Sequence, residues 1–141
     1  DSDSIAAVAV AAHECGHAVQ DAQNYHFLKV RSFLAPITQI GSTIAMPMIF
    51  LGLILSWMGL VQLGILAFSL VLVFQIVTLP VEFDASKRAL AILEDGGFIL
   101  ANETPSAKKV LNAAAFTYIA ATLSTALQLL RLILISNRRR N

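Results

Sequence analysis

Between Ile44 and Leu79 the chain carries no Asp, Glu, Lys, Arg or His. One membrane crossing needs about 20 apolar residues, so this stretch is too long for one and long enough for two short ones. Glycine and a polar amide weaken it around Met58-Gly59-Leu60-Val61-Gln62, where a break is expected. The pattern predicts a helical hairpin. Its first arm covers residues 44–57 with some residues upstream, and its second arm covers 62–79. A third apolar run extends from Ala113 to Ile135, interrupted only by Arg131 near its end. An arginine there can snorkel to the headgroups, so this run is a third crossing. Strand signals are poor, and runs rich in Leu and Ala favour helix.

Composition sharpens that picture. Of the 141 residues, 57% are apolar and 13% charged; a soluble domain carries roughly 25% charged residues. So small a soluble fold has too much surface for so few charges to cover. A lipid-facing surface has no such need. The expected fold is all-α: polytopic membrane helices with a metal-binding helix at the membrane face. The parts are a metal-site helix over residues 1–27, a transmembrane hairpin over 40–79, a third-ligand segment and loop over 80–104 and a final crossing over 105–136. A net charge of +1 implies no nucleic-acid partner, and a single cysteine, Cys15, excludes an internal disulfide.

Two polar segments flank the hairpin, residues 1–36 and 82–109. A hairpin returns both to one face of the membrane, where residues far apart in sequence can meet. That face carries Lys29, Arg31, Lys87, Arg88, Lys108 and Lys109, whereas Arg138, Arg139 and Arg140 follow the third run. The two clusters give opposite orientations, and the larger assigns the polar segments to the cytoplasmic side. Glu94-Asp95-Gly96-Gly97 and Asn102-Glu103-Thr104-Pro105 read as loop chemistry, with Thr104 and Pro105 opening the last helix. Asp1-Ser2-Asp3-Ser4 is rich in helix-capping residues and runs straight into a helix with no initiator methionine, so an N-terminal portion is expected to precede it.

The chemistry concentrates in His13-Glu14-Cys15-Gly16-His17. Residues four apart share one face of a helix, so His13 and His17 can hold one metal ion together. Glu14 lies beside that ion without being a ligand, placed to accept a proton from an activated water and pass it to a leaving amine. Residues 5–12 (IAAVAVAA) supply the helix context. Gly16 costs that helix roughly 1 kcal/mol relative to alanine, which makes sense where another backbone must come close.

Such a site needs a third protein ligand. A third histidine six residues after His17 is ruled out, because Gln23 stands there; His26, nine residues on, fits no ligand spacing. Asp21 shares the face of His17 but lies two turns from His13, which suits it to orienting His17 rather than to ligation. Glu82 closes the second apolar run, where a lone carboxylate must find water or a partner, and it is the stronger candidate. Asp84 is a weaker rival, and a pairing of Glu82 with Lys87 or Arg88 is the bland alternative.

Residues 11–22 (AAHECGHAVQDA) resemble the YugP-like family of bacterial membrane zinc metallopeptidases, as do residues 79–86 (LPVEFDAS) and 107–111 (AKKVL). The resemblance covers nearly the whole chain. It implies a gluzincin-type, zincin-like site in which a glutamate on a later helix completes the metal centre. The related CAAX-processing and heat-shock membrane proteases have Glu-x-x-Ala-Asp there, and Glu82-Phe83-Asp84-Ala85-Ser86 matches its glutamate and alanine. Ser86 replaces the aspartate. The implied activity is a zinc-dependent membrane endopeptidase of the bacterial cytoplasmic membrane. Zn2+ is held by His13, His17 and Glu82, and Glu14 acts as base and then acid. The substrate is a peptide or a membrane protein. Tyr25, His26 and Tyr118 are candidates to stabilise the oxyanion. A catalytically silent zinc-binding scaffold is the alternative; a small transporter is disfavoured because Ser56, Gln62, Ser69, Gln75 and Thr78 are the polar residues of the first two spans.

Overall fold

In the computed structural model, residues 2–141 are described, and they form four helices. These are α1 (Ser2–Ala22), α2 (His26–Ile54), α3 (Met58–Asp95) and α4 (Thr104–Arg140). No strand occurs among the described residues. The capping role expected of Asp1 lies outside them.

The helices α2, α3 and α4 are each long and apolar enough to cross a membrane. Large apolar side chains stand on their outer faces, among them Phe33 (71% exposed) and Leu127 (68%). That much exposed apolar surface suits lipid, not water. Pro36 and Pro47 lie inside α2 and Pro80 inside α3. Each withholds one backbone N–H, a loss that membrane helices tolerate.

Helix bounds differ from the sequence reading at three places. The first helix closes at Ala22 and α2 opens at His26, so residue 27 already belongs to the second helix. The hairpin turn falls at Leu55-Ser56-Trp57, and Gly59 and Gln62 lie inside α3. Helix α3 runs on through Leu79 to Asp95, so Glu82 is a helical residue rather than the start of a loop segment.

Three helices end in the same way. Asn24, Ser56 and Gly97 adopt left-handed backbone, with φ of 55°, 53° and 67°. The next residue then donates back across the end: Tyr25 to the Gln20 carbonyl (2.9 Å), Trp57 to Gly52 (2.8 Å) and Phe98 to Leu93 (3.2 Å). Each satisfies a terminal carbonyl that the helix cannot.

Contacts divide the chain into two compact units, Asp1–Lys29 with Thr78–Ile119, and Val30–Val77 with Ala120–Asn141. The first packs α1 against the polar end of α3 and the start of α4. Its core is Ala9, Ala12, Ala89, Leu93, Ala107 and Leu111, all buried. Four alanines among six core residues leave short distances between helix backbones. The second unit contains the hairpin, closed by small residues: a Cβ on Gly64 would stand 2.9 Å from the Ala45 carbonyl oxygen and 3.1 Å from the Ile49 nitrogen. Ile49, Val61 and Leu132 form its buried cluster.

Candidate metal centre

Ala9 and Ala12 on α1 are buried against α3, and His13 and Gly16 continue that contact face. Gly16 is where the two helices touch, since a Cβ there would overlap the Ala85 carbonyl group. The approach leaves the imidazoles one helix turn apart and opposite Glu82. His13 Nε2 lies 2.8 Å from Glu82 Oε2, and His17 Nε2 lies 3.4 Å from Glu82 Oε1. The two rings meet edge-on with centroids 4.8 Å apart. One donor atom from each of the three residues falls within 4.8 Å of the others. Donors around a tetrahedral zinc sit about 3.3 Å apart, which the His17–Glu82 separation of 3.4 Å matches, while the 2.8 Å His13–Glu82 contact is a hydrogen bond that an ion would open slightly.

The outer nitrogens are held as well. His13 Nδ1 is 3.1 Å from Ser86 Oγ, and His17 Nδ1 is 2.9 Å from Gln20 Oε1. Gln20 is fully buried. Its amide nitrogen donates to the Val81 carbonyl (2.8 Å) and to Asp84 Oδ2 (2.9 Å). Both of those partners are acceptors only, so the amide oxygen must be the atom that faces His17. Neutral His17 therefore carries its proton on Nδ1 and turns the Nε2 lone pair toward Glu82. Two acceptors facing each other at 3.4 Å repel; a cation between them turns the repulsion into coordination. The donor set thus fits a divalent metal of the zinc type, with both imidazoles presenting Nε2 and both oriented through Nδ1.

Beyond Gln20 the arrangement continues to the surface. Arg88 Nε donates to Asp84 Oδ2 at 2.6 Å, and Arg88 Nη1 donates to Gln23 Oε1. The guanidinium also stands over the Tyr25 ring, 5.7 Å from its centroid. Asp84 lies past the uncharged run of α3. Burial pushes its carboxyl up, but the hydrogen bonds from Gln20 and Arg88 outweigh that and hold it below the usual carboxylate range. Tyr25 is pushed up by burial and by the Asp84 charge, against the opposing effect of Arg88. Its hydroxyl thus keeps its proton.

Glu14 is exposed on α1 beside His13, open to solvent. Asp21, expected to orient His17, is exposed instead, and Gln20 occupies that role one position earlier. Asp84 holds Gln20 and is not among the grouped ligand atoms. His26 is the exposed first residue of α2, and Tyr118 stands on α4, 39% exposed. Neither belongs to the grouped donors. Sequence reasoning missed Gln20 and read Ser86 only as the replacement of an aspartate. The spacing His17-x-x-Gln20, one helical turn, is the signal that was available.

Residues 1–137 match the family described as "putative neutral zinc metallopeptidase". The chain is 46% identical over 133 residues to the "putative membrane protease YugP" of Bacillus subtilis (strain 168), covering 94% of this chain and 59% of that protein. It therefore spans less than two thirds of that relative's length. No solved structure gives a significant match. With residues 1–137 of its 141 matched, this chain belongs to the family of putative neutral zinc metallopeptidases.

Proposed function

We propose that the chain is the catalytic part of a zinc-dependent membrane endopeptidase, with His13, His17 and Glu82 as metal ligands and Glu14 as general base. The observation that carries this reading is the convergence of two imidazoles, each with a second partner at Nδ1, on a carboxylate that is only 3% exposed. Burying a carboxylate without a compensating charge is costly, and a divalent ion supplies that charge. When bound, zinc contributes Lewis acidity toward the scissile carbonyl and toward water.

The remaining work falls to the chain's own side chains. Glu14 accepts the proton of the attacking water and delivers it to the departing amine. Gln20 and Ser86 hold the imidazoles so that Nε2, not Nδ1, faces the ion. Glu82 is the first charged residue after the uncharged run of α3, which supports a site at the membrane surface. Peptides and membrane-protein segments presented there are the substrate class. The cations Lys29, Arg31, Lys87, Arg88, Lys108 and Lys109 favour the cytoplasmic face.

The test compares Glu14→Gln with wild type in zinc content and in peptide hydrolysis. The proposal expects zinc to stay and the rate to drop roughly 10²–10⁴-fold. Unchanged hydrolysis would remove Glu14 from the mechanism. Full zinc with no hydrolysis by either protein on any peptide or membrane-protein substrate would favour the silent scaffold.

A further inference from the structure

The unit built from Val30–Val77 and Ala120–Asn141 contains no Asp or Glu, and its charged residues are Arg31, Arg131, Arg138, Arg139 and Arg140. The arginines near the end of α4 therefore have no acidic side chain to pair with inside this unit. Four of the five lie on the last part of α4. Arg131 and Arg138 are seven residues apart, hence on one face and about 10.5 Å apart along the axis. Together with Leu127, Leu130, Leu134 and Ile135 they line a surface groove. Arg131 also borders a cavity of about 220 Å³ enclosed by α2, α3 and α4, whose wall is otherwise apolar apart from Gln128. Arg139 is already engaged, donating to the Leu53 carbonyl at 3.2 Å.

We propose that this end of α4 binds the phosphodiester headgroup of an anionic phospholipid. Arg131 and Arg138 grip the phosphate, and one acyl chain lies along Leu127 and Leu130. Guanidinium groups take phosphate oxygens in pairs, and the aliphatic stem of Arg131 can run along the apolar groove while its head reaches the phosphate. The leucines are bare: Leu127 is 68% exposed, Leu130 52% and Leu134 53%. A zwitterionic headgroup adds an ammonium that the four arginines at this end of α4 repel, so the preference is for net-negative lipid. A second copy of the chain packed through the same face would set arginine against arginine, which disfavours self-association there.

The experiment is native mass spectrometry of the full chain released from detergent, titrated with phosphatidylglycerol and, separately, with phosphatidylcholine. The expected result is at least a tenfold preference for phosphatidylglycerol. That preference should be lost in the Arg131→Gln/Arg138→Gln double variant and kept in Lys108→Gln/Lys109→Gln. Leu127→Gln/Leu130→Gln leaves every charge in place and should still weaken the lipid severalfold, which diffuse charge attraction would not. Circular dichroism melts matched to wild type verify that the variants are folded. Equal binding of the two lipids, or a preference indifferent to Arg131 and Arg138, would overturn the proposal. So would displacement of the lipid by millimolar inorganic phosphate, which would assign the site to a small anion. A dimer abolished by the arginine variants, with no lipid preference, would assign the face to a second copy.

Discussion

At the residue scale, a fully buried glutamine decides which nitrogen of a candidate ligand histidine is available. Gln20 has its amide nitrogen committed to the Val81 carbonyl and Asp84, so its oxygen has no choice but to accept from His17 Nδ1. Replacing Gln20 with leucine keeps the volume and removes that constraint. The expected outcome is a loss of zinc affinity of roughly 10–100-fold, measured by competition with a calibrated chelator. Ser86→Ala removes a single hydroxyl partner of His13 and should cost less in the same titration. Equal affinity in wild type and Gln20→Leu would show that the amide positions nothing. Gly16 makes a separate prediction. With the Ala85 backbone where a Cβ would go, Gly16→Ala should destabilise the fold by about 1–3 kcal/mol, read as a lower melting temperature. Zinc content should fall with it, because the same contact sets the distance from α1 to Glu82.

The residues also mark what sequence could reveal. The grouping of His13, His17 and Glu82 was legible because a helical spacing and a stranded carboxylate each have a physical meaning in one dimension. The orienting partner of His17 was sought at Asp21, four residues on, where helix faces align best. Side chains on a helix lean toward its N-terminus, and the longer arm of Gln20, three residues on, reaches back to the imidazole while Asp21 stays in solvent. Ser86 gave no signal, since a serine in place of an expected aspartate reads as a loss. A hydroxyl is nonetheless enough to partner an imidazole nitrogen.

At the scale of elements, the apolar runs gave away the number and kind of helices but not their ends. Of the three left-handed closing residues, Gly97 is the one a sequence announces, through the absence of a Cβ. Asn24 is a weaker signal, and Ser56, flanked by Leu55 and Trp57, is none at all. The hairpin turn was accordingly placed a few residues late, at a glycine that proved to be helical. Ser56→Gly should relieve the left-handed strain at that turn and raise stability by up to about 1 kcal/mol, measured as a shift in thermal unfolding. The hairpin interface depends on close backbones, so Gly64→Leu should do the opposite. A leucine there meets the Ala45 carbonyl and Ile49. The expected result is faster proteolysis of α2 and α3 in detergent, with unaltered cleavage as the contrary outcome.

For the molecule as a whole, each compact unit has one chemical character. The unit of α1 with the charged end of α3 and the start of α4 contains the three candidate ligands, their outer partners and an alanine-rich core that brings helices close. The other contains the uncharged hairpin and the arginine-tipped end of α4, with apolar side chains turned outward. The candidate ligands are thus confined to one unit, and Glu82 stands on a helix rather than a loop. A ligand on a rigid helix is held more accurately than one on a loop.

The central claim is that His13, His17 and Glu82 form one metal site. Elemental analysis of zinc in detergent-purified protein tests it most directly, with wild type, His13→Ala and Glu82→Ala prepared side by side and reconstituted under the same conditions. About one zinc per chain is expected in wild type and almost none in either variant. Zinc retained in full by Glu82→Ala, or absent from wild type after reconstitution, would contradict it.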